Sequence, residues 1–147
     1  MKDINIKNKK AHFEYHLLDR YVAGLKLLGT EIKSIREAKA NINDAFCSFI
    51  DDTLYVRNMH IAEYSHGSFY NHESKRDRVL LLQKNELKKL RTKVNEKGLT
   101  IIPLRIFISQ RGFAKLEIAV AQGKKEYDKR QSIKERDTQR ELDRTFR

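Results

Sequence analysis

The last 26 residues of the chain, from Gln122 to Arg147, limit where a core can form. They contain only four large apolar side chains, and basic and acidic residues fill most of the other positions. A segment of this composition cannot bury enough apolar surface to offset the entropy that it loses on ordering. We therefore expect the core to be built from the residues before Gln122. The four apolar side chains are Tyr127, Ile133, Leu142 and Phe146.

The same segment has the composition of a helix that forms only with a partner. Its residues are good helix formers, and no proline or glycine follows Gly123. A helix from Asp128 onward would be about 30 Å long, at about 1.5 Å per residue. Arg136, Arg140 and Arg144 would then form a ridge of guanidinium groups suited to phosphates. Two interpretations stay open, a solvated charged tail and a tail that folds on RNA, and we favour the second.

Positive charge is distributed over the whole sequence. The formal net charge is +11, with +3 on residues 1–10, +5 on residues 11–121 and +3 on residues 122–147. This distribution favours a large polyanionic partner such as RNA. An anionic membrane is the competing polyanion, but no amphipathic helix with a Trp/Phe/Leu face is evident. We therefore predict an RNA partner and no membrane partner.

The lack of targeting signals in the sequence and its single cysteine predict a cytoplasmic protein, and its length predicts one domain. The sequence contains no signal peptide and no apolar run long enough to span a bilayer. Its only cysteine, Cys47, cannot form an internal disulfide, which fits a reducing compartment. Residues 1–10 are predicted to be a loose basic arm and residues 122–147 a tail. One domain of ordinary size remains over residues 11–121.

Alternating apolar and polar residues predict short antiparallel strands. Asp51–Asp52 and Gly112 mark tight turns within two strand pairs. Pro103 belongs at a strand edge or a bulge because it has no N–H to donate. We predict a mainly β fold with a few short helices, built as a small closed antiparallel barrel like the OB-fold. The predicted strands cover residues 12–21, 22–28, 45–50, 54–59, 61–69, 99–109 and 113–121.

Two short helices are predicted between the strands. The first begins after Gly29, with Thr30 as its N-cap. The second begins at Asn85 as its N-cap and ends at Gly98. Basic residues cover the solvent-facing sides of both helices. The apolar residues predicted to face the core are Ile32, Ile35, Leu87, Leu90 and Val94.

Catalytic or metal chemistry is hard to build from this sequence. His12 and His16 have the spacing of a metal pair only on a helix, because on a strand they lie about 13 Å apart. Asp51 and Asp52 are expected in a turn for conformational reasons, and Cys47 has no neighbouring base in the sequence. No phosphate-binding loop or nucleophile-elbow motif is present. We therefore predict no catalytic residues, no bound metal and no cofactor.

Basic residues cluster near aromatic residues, and that pattern is typical of RNA-binding surfaces. Basic grooves with stacking rings bind structured RNA. The rings near these clusters are Phe13, Tyr15, Tyr64, Phe69, Tyr70 and Phe113. Core packing is the competing interpretation for rings on strands, and Tyr70, in a polar loop, is the ring most expected to be exposed. The clustered basic residues are Lys9, Lys10, Lys33, Arg36, Lys39, Lys75, Arg76 and Arg78.

Four sequence motifs resemble those of the small protein B family, the bacterial SsrA-binding proteins. In order, they are KKAHFEY, AGLKLLGTEIKSIREAKANI, KRDRVLLLQKNEL and AVAQGKKEYDKRQSIKERD. The resemblance covers Asn8 to about Arg144. The combination of KANI with GKK-x-x-DKR-x-x-IK-x-R is highly specific.

This resemblance implies an OB-like barrel that binds the tRNA-like domain of transfer-messenger RNA. The protein would accompany that RNA, in a complex with elongation factor Tu, into the empty A site of a ribosome stalled without a stop codon. The barrel would stand in for the missing anticodon stem. The tail would become helical in the decoding centre of the small subunit and the vacant messenger channel. The protein is expected to be a monomer.

The resemblance also implies which residues form each interface. The RNA-binding face would include Asn8, Lys39, Asn41 and the segment from Arg76 to Leu82, with Leu81 among its contacts. Gly123 is expected to act as a hinge, since a residue without Cβ lets the tail leave the barrel at an angle that the last strand does not set. The ribosome-binding tail would comprise Gly123, Lys124, Lys125, Tyr127, Asp128, Lys129, Arg130, Ile133, Lys134 and Arg136.

Several positions depart from the usual pattern of that family. Val22 stands where an acidic residue is common, so no RNA-binding role is assigned to it. Ala119 and Gln122 replace a usual glycine and a usual basic residue. Tyr127 replaces a frequent histidine, which preserves stacking on a base but removes a group that titrates near neutral pH.

An alternative function stays open beside ribosome rescue. A generic OB-type domain for single-stranded RNA, or a nuclease subunit, would share the basic surface and carry a tail without a function. Deleting the tail distinguishes the two, because a ribosome-rescue protein would keep RNA binding and lose peptide tagging.

Overall fold

The structure, a computed structural model, describes residues 3–66, 71–96 and 98–124. Within these ranges the chain forms short strands and three short helices. The strands are β1 (Asn5–Lys7), β2 (Tyr15–Leu25), β3 (Ala40–Asn41), β4 (Phe46–Ile50), β5 (Thr53–Arg57), β6 (His60–Ile61), β7 (Arg78–Leu81), β8 (Leu99–Ile108) and β9 (Ala114–Gly123). The helices are α1 (Ala11–Glu14), α2 (Gly29–Arg36) and α3 (Lys84–Val94).

Six of the strands pair into a closed ring. Their order is β8, β4, β5, β7, β2 and β9, and β9 pairs again with β8. Each of these pairings is antiparallel. Alternate side chains point into the ring, and Ile101, Ile106, Leu116, Ile118 and Val120 from β8 and β9 are fully buried there. The prediction of a mainly β fold with a small closed antiparallel ring is confirmed.

The N-terminal arm is part of the sheet, which differs from the expectation of a loose segment. Strand β1 pairs with β8 and places Ile6 opposite Ile106. Ile4 and Ile6 pack against the main core. Two apolar residues in so short a run are too weak a pattern to predict a strand, but the edge of β8 supplies unpaired backbone groups for β1.

Residues 11–14 form a helical turn, although the alternating pattern predicted the start of a strand. The Glu14 backbone N–H donates to the Lys10 carbonyl at 2.9 Å. Ala11 is buried in a second apolar cluster, against Ile102 and Ala119 on the outer side of β8 and β9. One turn of helix is too short to show a period of 3.6 residues, so only this packing decides its conformation.

Strand β2 runs without interruption where two strands were predicted. Its pairing with β9 shifts register between Leu17 and Arg20, and Leu18 is exposed. This irregularity breaks the alternation of apolar residues and therefore looks like a strand boundary in the sequence. Of the strand predicted over residues 61–69, only β6 (His60–Ile61) is a strand among the described residues.

Both predicted hairpins are confirmed. The turn between β4 and β5 places Asp51 at φ 55°, a left-handed conformation that Asp tolerates better than most residues. The turn between β8 and β9 places Gly112 at φ 88°. Pro103 lies opposite Ile118, and the register between β8 and β9 shifts directly after it. The predicted bulge at Pro103 is thus present.

Helix α2 begins at Gly29, and its N-cap differs from the prediction. The N-cap is Leu28, whose backbone N–H donates to Glu31 Oε1 at 2.8 Å. Thr30 lies inside the first turn, where its hydroxyl is hydrogen-bonded to His72. Ile35 is fully buried, as predicted, and Ile32 is half-buried.

Helix α3 begins at Lys84 with Gln83 as its N-cap, and Asn85 lies within its first turn. Leu90 is fully buried, and Leu87 and Val94 are half-buried against the main core, which confirms the predicted stripe. Gly98 follows the helix at φ 83°, in the left-handed region that favours glycine.

Candidate nucleic-acid interface

The basic N-terminal residues lie against the turn that follows β3. The Lys9 backbone N–H donates to Asn43 Oδ1 at 2.8 Å, and Lys10 Nζ lies 3.0 Å from Asp44 Oδ1. Asn8 donates from its side chain to the Pro103 carbonyl at 2.9 Å and is almost fully buried. Asn8 thus orients the backbone from which Lys9 and Lys10 project. We call this set the arm–turn cluster: Asn8, Lys9, Lys10, Asn43 and Asp44.

Strand β3 connects this cluster to its neighbour β6. Asn41 is exposed, and its Oδ1 accepts from the Asn43 backbone N–H at 2.8 Å. Lys39 is also exposed, with its ammonium 3.3 Å from Glu37 Oε2. Its carbonyl accepts from the Ala62 N–H at 3.0 Å, which ties β3 to the segment after β6. Two of the predicted RNA-binding residues are therefore exposed near each other, Lys39 directly before β3 and Asn41 within it.

A buried carboxylate joins helix α2 to the segment that precedes β7. Glu31 Oε1 accepts from Arg76 Nη2 at 2.6 Å, and Glu31 Oε2 accepts from Arg78 Nε. Both Glu31 and Arg78 have side chains that are 0% exposed. Residues 45 and 47 positions apart in sequence are therefore joined by charge-assisted hydrogen bonds.

The burial of Arg78 corrects its predicted role as a direct RNA contact. Its Nη1 donates to the Met59 carbonyl at 2.6 Å, and its Nη2 donates to the Ser74 carbonyl at 3.1 Å. Because Glu31 and these carbonyls occupy its donors, Arg78 does not present its guanidinium to an outside phosphate. Arg78 instead fixes the course of the chain before β7. Charge counting along the sequence does not reveal this, since it treats every arginine as a surface cation.

Two opposing effects act on the pKa of Glu31. Burial by itself raises the pKa of the carboxyl, because it penalises the charged form. Hydrogen bonds from Arg76, the Leu28 amide and Arg78 outweigh burial, so the pKa lies below its ordinary value of 4.5. For Arg78, burial lowers the pKa of the guanidinium and Glu31 opposes that shift. Glu31 is thus an anion in the folded protein at neutral pH.

Lowering the pH should weaken the fold through Glu31. Since its pKa is lower in the folded state, Glu31 stabilises the fold above the ordinary value of 4.5 and loses this contribution as the pH falls through the folded pKa. We expect the free energy of unfolding to fall below about pH 4.5, and to fall less steeply in Glu31→Gln. Denaturant titrations of both proteins at several acidic pH values measure this, and two parallel pH profiles would contradict it.

Arg76, Lys75 and two basic residues of α2 remain accessible. The side chain of Arg76 is 35% exposed, and Lys75, Lys33 and Arg36 are exposed. Lys33 Nζ lies 5.5 Å from the centre of the Tyr64 ring. Arg36 lies near the β8–β9 turn, where it lines a groove of about 710 Å³ with Ile4 and Ile108. The structure thus groups Lys33 with Tyr64, and it groups Arg36 with the groove beside the β8–β9 turn.

Leu81 stands on the outer face of the ring, where its side chain is 55% exposed. It pairs across β7 and β2 with Gly24, whose other neighbour in the sheet is Lys115 on β9. A Cβ at Gly24 would lie 3.4 Å from Leu81 Cβ and 3.7 Å from Lys115 Nζ. The glycine therefore leaves a shallow depression between an apolar and a basic side chain, and Val22, also exposed, lies beside it.

The root of the tail is tied to α1. Gly123 belongs to β9 and pairs with Tyr15, which differs from its predicted role as a hinge. Lys124 continues this pairing, because its backbone N–H donates to the Glu14 carbonyl and its Nζ to the His12 carbonyl, both at 2.8 Å. The other predicted tail residues lie outside the described residues: Lys125, Tyr127, Asp128, Lys129, Arg130, Ile133, Lys134 and Arg136. Phe69 and Tyr70 also lie outside them.

Few of the described side chains suggest metal or nucleophilic chemistry. Within residues 3–66, 71–96 and 98–124, no group of three or more His, Cys, Asp or Glu residues could hold a metal ion. Cys47 is buried, and burial raises the pKa of its thiol, so it is a weak nucleophile. Among the described helices, none has the length and apolarity needed to cross a membrane.

Sequence reasoning missed the polar residues that organise this surface. The position of Glu31, three residues after an N-cap, is a signal for the start of a helix and not for a buried ion pair. Asn71 and His72 lie in a polar loop, where no pattern in the sequence indicates a role for them. Their partners Thr30, Ile61 and Tyr64 are distant in sequence, so no local pattern predicts these contacts.

Comparisons with known proteins agree on one family. A family model described as "SmpB protein" matches residues 5–147. An SsrA-binding protein of Christiangramia forsetii is 59% identical over 141 residues, which are 96% of this chain and 90% of the relative. One from Phocaeicola vulgatus is 55% identical over 98% of this chain and 96% of the relative. One from Arthrobacter sp. is 49% identical over 95% of this chain and 89% of the relative.

A solved structure has the same fold. It is described as "tmRNA-SmpB: a journey to the center of the bacterial ribosome", and its matching chain is 43% identical. The match covers 84% of this chain and 86% of that chain, with a TM-score of 0.71. The OB-like prediction therefore agrees with the fold of an experimentally studied relative.

Proposed function

The chain belongs to the SmpB protein family, and we propose from this that it is an RNA-binding protein of trans-translation, which binds transfer-messenger RNA and acts on the ribosome. The observation that carries the proposal is the match of nearly the whole chain to a family whose relatives are SsrA-binding proteins. The solved relative is described in terms of tmRNA and the bacterial ribosome. The exposed basic residues of the arm–turn cluster and of α2 are consistent with a phosphate-rich partner.

In finer terms, the ring of strands binds the tRNA-like domain of transfer-messenger RNA. The protein then travels with elongation factor Tu, as a monomer in the cytoplasm, to the A site of a stalled ribosome. Its tail enters the decoding centre of the small subunit and the empty messenger channel. The anchoring of Lys124 on α1 supports the assignment of RNA binding to the ring and ribosome binding to the tail, because it gives the tail a defined starting point on the ring.

The protein acts by binding, without catalysis or a cofactor. The alternative, a generic OB-type RNA-binding domain or a nuclease subunit, is less favoured because the family match extends through the tail to residue 147. A generic domain has no need for a tail with the motif of that family.

A gel-shift experiment tests the proposed function directly. The full-length protein is titrated against the tRNA-like domain of transfer-messenger RNA and against an unrelated hairpin of equal length at the same salt concentration. We expect the tRNA-like domain to be bound at least tenfold more tightly, since a specific complex is typically several kcal/mol more stable than a non-specific one. Equal affinity for the two RNAs would favour the generic domain instead.

The salt dependence of binding should separate Arg76 from Arg78. We expect Arg76→Gln to make the plot of log affinity against log salt shallower by about 0.7–0.9, the loss of one phosphate contact. Lys89→Gln, an exposed lysine on α3, is the matched control and should leave the slope unchanged. A larger change for Arg78→Gln than for Arg76→Gln, at equal folded fraction, would contradict the internal role of Arg78.

A further inference from the structure

Tyr64 is an aromatic residue beside α2 whose backbone is hydrogen-bonded through both its N–H and its carbonyl. The Tyr64 N–H donates to Asn71 Oδ1 at 3.2 Å, and Asn71 Nδ2 donates to the Tyr64 carbonyl at 2.9 Å. The His72 N–H also donates to Asn71 Oδ1, at 3.1 Å. A single amide side chain therefore satisfies both polar backbone groups of Tyr64, so that the ring projects from a backbone with a defined position.

His72 fixes this segment to the rest of the fold. Its side chain is almost fully buried, its Nδ1 lies 2.8 Å from Thr30 Oγ1, and its Nε2 lies 2.9 Å from the Ile61 carbonyl. Since a carbonyl only accepts, Nε2 carries the proton and Nδ1 accepts from the threonine hydroxyl when the ring is neutral. One histidine thus joins α2 to β6, and this fixes the position of Tyr64 relative to Lys33.

The surroundings of the Tyr64 ring combine aromatic and cationic groups. Lys33 Nζ lies over the ring at 5.5 Å from its centre. The His66 ring stands edge-on to it, with centroids 5.5 Å apart and an interplanar angle of 73°. Lys33 and His66 are exposed, and Tyr64 is half-buried. A half-buried ring beside an exposed ammonium has the chemistry that an unpaired nucleotide requires.

We propose that Tyr64 is a stacking platform for an unpaired base of the bound RNA, with Lys33 contacting the phosphate of that nucleotide or its neighbour. This assignment rests on the proposed RNA-binding function and names one site within it. Stacking of a base on an aromatic ring is a stronger interaction than a lysine over a ring at an exposed position. The base therefore displaces Lys33 from the ring, and the freed ammonium, on its flexible stem, binds phosphate.

Fluorescence gives a direct test, because the chain contains no tryptophan. In Tyr64→Trp, the introduced ring is the only indole, and saturating tRNA-like domain of transfer-messenger RNA is expected to quench its emission through base stacking. Phe49→Trp is the matched control, since Phe49 is also half-buried beneath a cation, with Arg91 at 5.3 Å from the ring centre. We expect little quenching in that control.

Affinity measurements complete the test. Tyr64→Leu, which retains apolar bulk and loses the ring, is expected to weaken binding about 5- to 150-fold, the range for one lost base–aromatic stack. Tyr64→Phe should bind like the wild type. Lys33→Gln should make the plot of log affinity against log salt shallower by about 0.7–0.9, the loss of one phosphate contact.

The outcomes separate this site from the proposed function. If the wild-type protein does not bind the tRNA-like domain, the proposed function fails. If the wild type binds but emission from Tyr64→Trp is unchanged at saturation, or Tyr64→Leu binds as tightly as Tyr64→Phe, the stacking site is overturned and the proposed function stands.

Discussion

Glu31→Gln is expected to destabilise the fold by about 3–5 kcal/mol, the usual effect of removing one partner of a buried ion pair. The substitution removes the negative charge that lies between Arg76 and Arg78. Arg78 is fully buried and always protonated, so it would remain as an uncompensated charge in the interior. Unfolding in guanidinium chloride, followed by circular dichroism, measures the change in the free energy of unfolding.

Two further variants show whether the effect comes from the buried pair. Glu37→Gln is the matched control, because Glu37 follows α2 on the surface, where its ion pair with Lys39 is exposed and contributes little. Replacing both Glu31 and Arg78 by methionine should cost less than the two single substitutions added together, since no charge is then left unpaired. A loss for Glu31→Gln no larger than for Glu37→Gln would refute the structural role assigned to the network.

A protein that ends at Lys124 is expected to bind transfer-messenger RNA with nearly wild-type affinity and to lose peptide tagging on stalled ribosomes. The closed ring, the arm–turn cluster and α2 all lie before Lys124, so the RNA-binding surface is retained. The truncation removes eight of the nine basic residues after Ala121, together with the ridge predicted to bind ribosomal phosphates. A tagging assay on a messenger without a stop codon and a gel shift measure the two properties separately.

Substitutions inside the tail refine this prediction. Tyr127→Phe should tag normally because the ring is retained, whereas Tyr127→Ala should lose a base–aromatic stack worth about 1–3 kcal/mol. Lys129→Ala with Arg130→Ala should also lose tagging while binding the RNA normally. Wild-type tagging by Tyr127→Ala would rule out stacking, and loss of RNA binding by the double variant would assign those residues to the RNA-binding surface.

The local pattern of the sequence determined the β architecture. Alternating apolar residues and the turns at Asp51 and Gly112 predicted both hairpins, and the bulge at Pro103 followed from its missing N–H. The apolar stripe of α3 also followed from its period. These features depend on neighbours within a few residues, so a single sequence is sufficient to predict them.

The tertiary structure alone decided which polar residues are available to a ligand. Glu31 and Arg78 both lie in segments rich in charge, yet contacts across 47 positions bury them together. Tyr64 could equally have been a core ring, and its accessible position depends on Asn71 and on α2. In the same way, α1 is helical because Ala11 packs on β8 and β9. Each of these outcomes depends on burial and pairing between distant segments, and these do not appear in any local pattern of residues.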